Sequence, residues 1–416
     1  MAKTSILNIG DELLIGQVVN TNASEMAKML NKAGFDVFKT TVCADNTESI
    51  RTNLRNMMSE YDIVLITGGL GPTKDDITKK ILAEEFDSVL IENAEVLAHV
   101  EQFFKNRQLP FTSTNREQAL VPSKCKVIFN EVGTAPGMCF EKDGKIIISM
   151  PGVPFEMRFM MPKVIEILKQ NFETETIEHR TLLFSGIGES FLSDMLEEYE
   201  SNLPSNISLA YLPKGGTVRL RLSVRGKNAN AVIALADEYS TKLKSLTEKY
   251  FMGFDSDNLA ETLGKQLIEH KASVATAESC TGGNIAHLIT LVPGSSSYYK
   301  GSIVSYANEV KENVLHVRKE DIQNYGAVSE EVVRQMAKGA REVLNTDYAI
   351  ATSGIAGPDG GNDEKPVGTV WIAVADKQNC IAEKFLFKTT RENFIERTSN
   401  QALLMCLQLL SQNSCE

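Results

Sequence analysis

Apolar and polar positions follow two rhythms along the chain. Short, mostly apolar runs mark strands at Ser5–Ile9, Phe35–Val42 and Asp62–Thr67, the last (DIVLIT) ending in glycines. Between them, Asn20–Lys32 places Ala23, Met26, Ala27 and Leu30 at helical spacing, and Thr47–Ser59 is also helical. Further helices are predicted near Asp75–Glu85 and at Ala94–Asn106, with strands around Lys126–Phe129 and Ile146–Ser149. This alternation predicts a mainly parallel sheet covered by helices on both faces.

From about residue 175 the rhythm changes. Strand Arg180–Ser185, helix Glu189–Glu200, strands Ile207–Leu212 and Thr217–Val224, and helix Ala229–Lys249 form a short β-α-β-β-α block. Its two later strands flank Pro213-Lys214-Gly215-Gly216, a predicted hairpin turn. Near Asp257 the α/β rhythm resumes, with helix Leu259–His270, strands Ser273–Ala277, Tyr348–Thr352 and Gly368–Ala375, and a final helix over about 392–411.

A length of 416 residues suggests about three domains. With 43% apolar and 23% charged residues, the chain can bury a core and is not dominated by disorder. A net charge of -11 argues against a protein that grips nucleic acid or an anionic membrane. Any bound phosphate must then be held locally. The seven cysteines are odd in number without CxxC spacing, and the five histidines form no HExxH. A disulfide framework or structural zinc site is therefore not expected. No apolar run approaches the roughly 18 residues of a membrane span. The N-terminus runs straight into a strand without a signal-peptide pattern, so a reduced, cytoplasmic protein is expected.

Three loops could carry chemistry. The first is Thr67-Gly68-Gly69-Leu70-Gly71-Pro72-Thr73-Lys74-Asp75-Asp76, where a strand runs through glycines into a helix. Glycines allow close approach to a ligand, and amides at a helix start favour an anion. Asp75 and Asp76 could hold a divalent cation beside a phosphate. On the competing reading, Thr73 caps the helix and Asp76 closes a capping box. The loop is not a P-loop, because it lacks the GK[ST] ending. Gly10-Asp11-Glu12 and Pro151-Gly152, with Glu156 beyond, follow other strands and could converge on it at the carboxyl edge of the sheet.

The second loop, Ala277-Glu278-Ser279-Cys280-Thr281-Gly282-Gly283, lies in a sharp strand-to-helix turn. A nucleophile there could use the amides of Thr281–Gly283 as an oxyanion hole. Ser279 needs a base, for which a desolvated lysine serves, and Lys311 is the candidate. Cys280 is the rival nucleophile, although free cysteine is more often a small buried apolar residue. The third loop runs from Thr352 to Gly361, backed by Lys365–Thr369, and could wrap ribose or phosphate. Arg391 and Arg397 are six apart, so one helix does not put them cleanly on the same side.

These motifs, in this order, resemble the CinA (competence/damage-inducible protein A) family along essentially the whole chain. The resemblance rests on GDELLIGQVVNTNA (10–23), TGGLGPTKDD (67–76), GTAPGM (133–138), PGVPFEM (151–157), AESCTGG (277–283), GAVS (326–329), GIAGPDGG (354–361) and KPVGTV (365–370). It implies two three-layer α/β domains joined by a small KH-like α+β domain. Residues 1–172 would be a MoaB/MogA-like, molybdopterin-binding-type domain, associated in the family with metal-dependent ADP-ribose pyrophosphatase activity. Residues 173–252 would be the KH-like domain, and 253–416 a nicotinamide mononucleotide deamidase domain needing no cofactor. Ser279 would be the nucleophile and Lys311 its base, with Thr281 and Tyr306 in the same pocket.

The resemblance further implies substrate contacts at Glu278, Cys280, Gly282, Gly283, Ser295, Gly354, Gly357 and Arg391. In the first domain the contacts would be Asp11, Glu12, Gly68, Gly69, Gly71, Pro151 and Gly152, with a divalent metal at Asp75 and Asp76. The expected partners are nicotinamide mononucleotide, ADP-ribose and a second copy of the chain. Where the family usually has glycine-aspartate before the late arginine, this chain has Thr389-Thr390-Arg391. The middle block lacks the GxxG loop that clamps RNA and reads as structural. The alternative function is a non-catalytic nucleotide-binding or competence accessory protein.

Overall fold

Residues that are apolar on both faces of a strand need cover on both sides, and this requirement organises the two larger domains. The computed structural model describes residues 2–73, 76–214, 216–254 and 259–413. By compactness the chain divides into Met1–Glu178 with Val224–Ile233, and His179–Ser223 with Ala234–Glu416.

The N-terminal region runs β1 (Thr4–Ile9), α1 (Asp11–Leu14), α2 (Thr21–Lys32), β2 (Val37–Cys43), α3 (Thr47–Glu60), β3 (Ile63–Thr67) and α4 (Thr78–Glu85). It continues with β4 (Leu90–Glu92), α5 (Ala94–Asn106), α6 (Ser113–Arg116), β5 (Leu120–Pro122), β6 (Lys126–Ile128), β7 (Gly137–Lys142), β8 (Lys145–Met150) and α7 (Pro154–Asn171). The main sheet has the order β2-β1-β3-β8-β7-β6, while β4 and β5 pair separately. Every residue of β1 and β3 is buried. Ile6, Leu65 and Ile148 pack with Met26 and Leu30 of α2 and Met157, Met160 and Met161 of α7. Leu7, Val64, Ile66 and Ile147 face the opposite core, with Ile50 and Leu54 of α3 and Ile81 and Leu82 of α4.

The sheet is parallel from β2 to β8, but β7 and β6 are antiparallel. The turn between β7 and β8 is Asp143-Gly144, both with positive φ, the geometry that an Asp-Gly hairpin favours. The helix expected near Asp75–Glu85 starts at Thr78.

The middle block contains β9 (Thr176–Ser185), α8 (Glu189–Ser201), β10 (Ile207–Lys214), β11 (Thr217–Gly226) and α9 (Ala229–Leu246). A fourth strand, β12 (Phe251–Phe254), pairs antiparallel with β9 and completes the order β10-β11-β9-β12. Leu182 and Phe184, with Val218 and Leu220, pack against Leu192 and Leu196 of α8 and Leu243 of α9. This is the α+β arrangement expected. Gly215 of the expected hairpin turn lies outside the described residues.

The C-terminal region runs α10 (Leu259–Glu269), β13 (Val274–Glu278), α11 (Asn284–Thr290), β14 (Tyr299–Val304), α12 (Asn308–Asn313) and α13 (Lys319–Tyr325). It ends with α14 (Glu330–Val343), β15 (Tyr348–Gly354), β16 (Thr369–Ala375), β17 (Cys380–Leu386) and α15 (Arg391–Asn413). The sheet order is β14-β13-β15-β16-β17, parallel through the first three strands and antiparallel thereafter. On one face Val274, Ile350 and Val374 meet Leu263 and Leu267 of α10 and Leu403 and Leu407 of α15. The other face is paved with Ala275, Ala277, Ala349, Ala351, Ala373 and Ala375, against Val333, Met336 and Ala340 of α14. Among the described residues no helix is long and apolar enough to cross a membrane.

α14 also runs so close to the loop after α12 that a Cβ added at Gly339 would overlap the carbonyl oxygen of Leu315. Helix propensity alone favours alanine over glycine by about 1 kcal/mol. Overlap with a backbone oxygen reverses that preference, so Gly339→Ala should lose about 1–3 kcal/mol. Urea denaturation is the measurement, and a midpoint at or above wild type would refute the close approach.

Candidate functional site

β13 lies between β14 and β15, parallel to both, so all three release their chains at one edge. Glu278 ends β13 opposite Thr352 of β15 and Val304 of β14. The Ser279 amide donates to Thr352 O (3.0 Å), and the Ser305 amide donates to Glu278 O (2.8 Å). Past Ser279 the chain reverses through Gly282 and Gly283, both at positive φ (62° and 99°), and enters α11.

Lys311 of α12 is buried at 1% exposure, which is unusual for lysine. Its Nζ lies 2.7 Å from Ser305 O, 3.3 Å from Tyr306 O and 3.2 Å from Ser279 Oγ. Burial pulls its pKa below the ordinary 10.5, against a smaller opposing influence of Cys280. A neutral amine has two N–H donors and one lone pair. With the donors on the two carbonyls, the lone pair is left for the Ser279 hydroxyl. The expected nucleophile and base are thus brought together.

Tyr306 stands at the mouth, 63% exposed. Arg391 Nη2 donates to its hydroxyl (3.0 Å), and Nη1 donates to Gly357 O (2.7 Å). One guanidinium therefore ties the start of α15 to the loops that carry Tyr306 and Gly357. Arg397, six residues later, stacks over Phe387 instead, at 4.8 Å. Gly354 ends β15 on the same edge, where an added Cβ would lie 2.8 Å from Thr369 O.

Several expected contacts fall elsewhere. Glu278 is fully buried, and its oxygens accept from Thr281 Oγ1 (2.7 Å) and the amides of Gly283 (3.0 Å), Ile285 (3.0 Å) and Ala286 (2.8 Å). It caps α11 from within and does not face a substrate. Thr281 is 2% exposed, its hydroxyl shared between Glu278 and Thr352 Oγ1 (2.8 Å), so it lines no open pocket. The Gly282 amide donates to Ser279 O (3.1 Å) and that of Gly283 to Glu278, which removes both from the expected oxyanion hole. The Cys280 amide reaches its own thiol, and the Thr281 amide has no acceptor among the described residues. Cys280 is buried, and burial pushes its thiol up to about 12. Ser295 precedes β14, whose first residue, Tyr299, pairs with Val274 at the start of β13. It therefore sits at the opposite end of the strands from Ser279. Sequence reasoning named Thr352 only as the start of the third loop and did not single out Ser305; both act largely through main-chain atoms.

In the N-terminal domain the three expected loops do converge, at the carboxyl ends of adjacent β1, β3 and β8. The Gly68 amide donates to Met150 O (3.3 Å), just before Pro151, and a Cβ at Gly68 would overlap Ile9 O, just before Gly10. A Cβ at Gly152 would lie 3.3 Å from Gly68 Cα, and Asn22 Nδ2 donates to Gly152 O (2.7 Å). Gly69 O accepts from the Thr78 amide (3.2 Å). Asp11 and Glu12 open α1, with Asp11 Oδ1 accepting from the Asp45 amide (3.2 Å). Asp76 Oδ2 accepts from the Thr73 amide (2.9 Å) and hydroxyl, beside Gly71. This is half of a capping box, placed ahead of the helix. Asp75 lies outside the described residues. Among the described residues no three His, Cys, Asp or Glu side chains cluster closely enough to cage a cation. Asp76 is the one carboxylate of the expected metal pair among the described residues, and its Oδ2 already accepts from Thr73.

Three family models match the chain: "Probable molybdopterin binding domain" over residues 5–170, "Damage-inducible protein CinA KH domain" over 179–253 and "CinA C-terminal domain" over 256–410. A CinA-like protein of Flavobacterium psychrophilum is 46% identical over 414 residues, covering 99% of each chain. One of Chloroherpeton thalassium is 41% identical over 414 residues, covering 98% of this chain and 99% of that one. Among solved structures, a competence-damaged protein (CinA) superfamily protein from Klebsiella pneumoniae is 34% identical. That alignment covers 37% of this chain and 96% of the other, with a TM-score of 0.36.

The geometry separates the two rival nucleophiles. At pH 8 the folded protein should leave Cys280 unmodified by iodoacetamide, because thiolate is scarce and access is blocked. Peptide mass spectrometry reads this, and rapid native-state labelling of Cys280 would return it to contention.

Proposed function

The chain belongs to the CinA family, and from that premise we propose that its C-terminal domain is a nicotinamide-nucleotide amidase. It would convert nicotinamide mononucleotide to nicotinate mononucleotide and ammonia. The observation that carries this reading is the buried Lys311 amine 3.2 Å from Ser279 Oγ, with two carbonyls occupying its N–H groups. Serine becomes a nucleophile only when a base takes its proton, and a desolvated lysine is such a base.

Lys311 takes the Ser279 proton as Oγ attacks the carboxamide carbon. The C–N bond then breaks, and Lys311 returns the proton to the departing ammonia. Water, deprotonated by the same amine, cleaves the acyl-enzyme to the carboxylate and restores Ser279. With Gly282 and Gly283 engaged, the Thr281 amide, which has no acceptor among the described residues, would be the main-chain donor to the oxyanion. At the mouth, Arg391 and Tyr306 supply a cation and a hydroxyl suited to the nucleotide phosphate.

Ser279→Ala should abolish ammonia release while the protein stays folded, and turnover at the wild-type rate would sink the assignment. The pH dependence has a definite sign. Lys311 works only when neutral and its pKa lies below 10.5, so kcat/KM should rise with pH through that lowered pKa and level off before 10.5. A rate that climbs steadily past 10.5 would mean that the base is not a desolvated lysine.

A second reading concerns the N-terminal domain, where convergence of glycine loops from β1, β3 and β8 favours a phosphate ligand. ADP-ribose pyrophosphatase activity fits this site. A divalent cation bound there would neutralise pyrophosphate charge, with Asp76 as a protein ligand, while the loop amides orient the phosphates. AMP should form from ADP-ribose and stop on addition of a chelator, and chelator-insensitive AMP release would refute the metal requirement.

A further inference from the structure

We infer that Glu278 is the positioning residue of the nucleophile turn, holding Ser279 and Lys311 in register from one buried point. The inference rests on Ser279 and Lys311 being the reacting pair. It does not depend on which amide is the substrate.

The start of α11 poses a local problem. A helix leaves its first amides without intrahelical partners. The residue at the N-cap, Gly283, has no side chain to accept from them. The acceptor comes instead from five residues back, at the end of β13. Glu278 Oε2 takes the Gly283 and Ile285 amides and the Thr281 hydroxyl, while Oε1 takes the Ala286 amide and, at 3.3 Å, the Thr276 hydroxyl. Ser279, Cys280, Thr281 and Gly282 are thereby spanned by one side chain, and the loop carrying the nucleophile is closed at both ends.

The main chain of the same residue fixes the other half of the pair. Glu278 O accepts from the Ser305 amide (2.8 Å), and Ser305 O is the nearest acceptor of Lys311 Nζ (2.7 Å). The side chain therefore sets where the serine turn sits, and the carbonyl sets where the base is held. A glutamine at 278 keeps the length but presents NH2 where an oxygen now accepts from N–H donors. The turn must then shift, and a shift of about 1 Å in a reacting atom can cost about 100-fold in rate.

The test uses the full-length protein with two readouts. The first is steady-state hydrolysis of nicotinamide mononucleotide. The second is labelling by a fluorophosphonate, in which the Ser279 Oγ–P bond forms, P–F breaks, fluoride leaves and Lys311 takes the proton. Glu278→Gln should lower kcat and the labelling rate about 100-fold, with KM within about threefold. Thermal unfolding establishes the folded fraction. A merely structural residue would leave kcat per folded molecule unchanged, and a substrate contact would raise KM instead. Either outcome overturns the proposal.

Should Glu278→Gln not fold, Thr281 serves in its place. Thr281→Val removes one donor to Glu278 and should slow labelling up to about tenfold, whereas Thr281→Ser should restore it. Equal labelling rates in both variants would refute the proposal. A wild-type protein that labels at Ser279 but releases no ammonia would sink the amidase reading while leaving Glu278 testable by labelling. A wild type that does not label at Ser279 would overturn both.

Discussion

Burying an ammonium ion without a compensating charge costs several kcal/mol, so a lysine amine taken out of water tends to give up its proton. Lys311 is in that position, and much of the carboxyl edge of the C-terminal sheet is arranged around it. The two carbonyls that receive its N–H groups belong to Ser305 and Tyr306, directly after β14. Their location is fixed because β14 pairs in parallel with β13, and β13 ends at Glu278, just before Ser279. The strand order brings the two chain ends together, and burial leaves a lysine amine beside a serine hydroxyl.

The two α/β domains solve a common problem with different partners. Each gathers glycine-rich turns at the carboxyl ends of adjacent parallel strands and leaves the antiparallel strands to one side. In the N-terminal domain the gathered groups are main-chain amides and carboxylates. In the C-terminal domain they are a hydroxyl, an amine and a guanidinium. The overall charge of -11 is compatible with both, because each cradle offers its attraction at short range within an acidic protein.

Much of this was legible in the sequence. Continuous apolar strands such as Ile63–Thr67 announce themselves, because both faces must be covered. The helical spacing of Ala23, Met26, Ala27 and Leu30 likewise located α2. The antiparallel β7 was overlooked, although Asp143-Gly144 is a hairpin signal. Within the site, Ser279 and Lys311 could be named from motifs, whereas Thr352 stood only as the start of a loop and Ser305 was not singled out. Their role runs largely through backbone atoms that every residue possesses. Glu278 misled for a related reason. A carboxylate beside a nucleophile suggests chemistry, and only the fold reveals that its oxygens are already taken by the helix start.

The clamp formed by Arg391 bears on how the protein comes into being. Ser279 and Lys311 come earlier in the chain than the guanidinium joining Tyr306 to Gly357, which belongs to α15. During synthesis, Ser279 leaves the ribosome more than a hundred residues before Arg391. A nascent chain can therefore carry Ser279 and Lys311 before the residue that joins these loops. On the proposed reading, the reacting pair is thus encoded ahead of the cation that would meet the nucleotide phosphate.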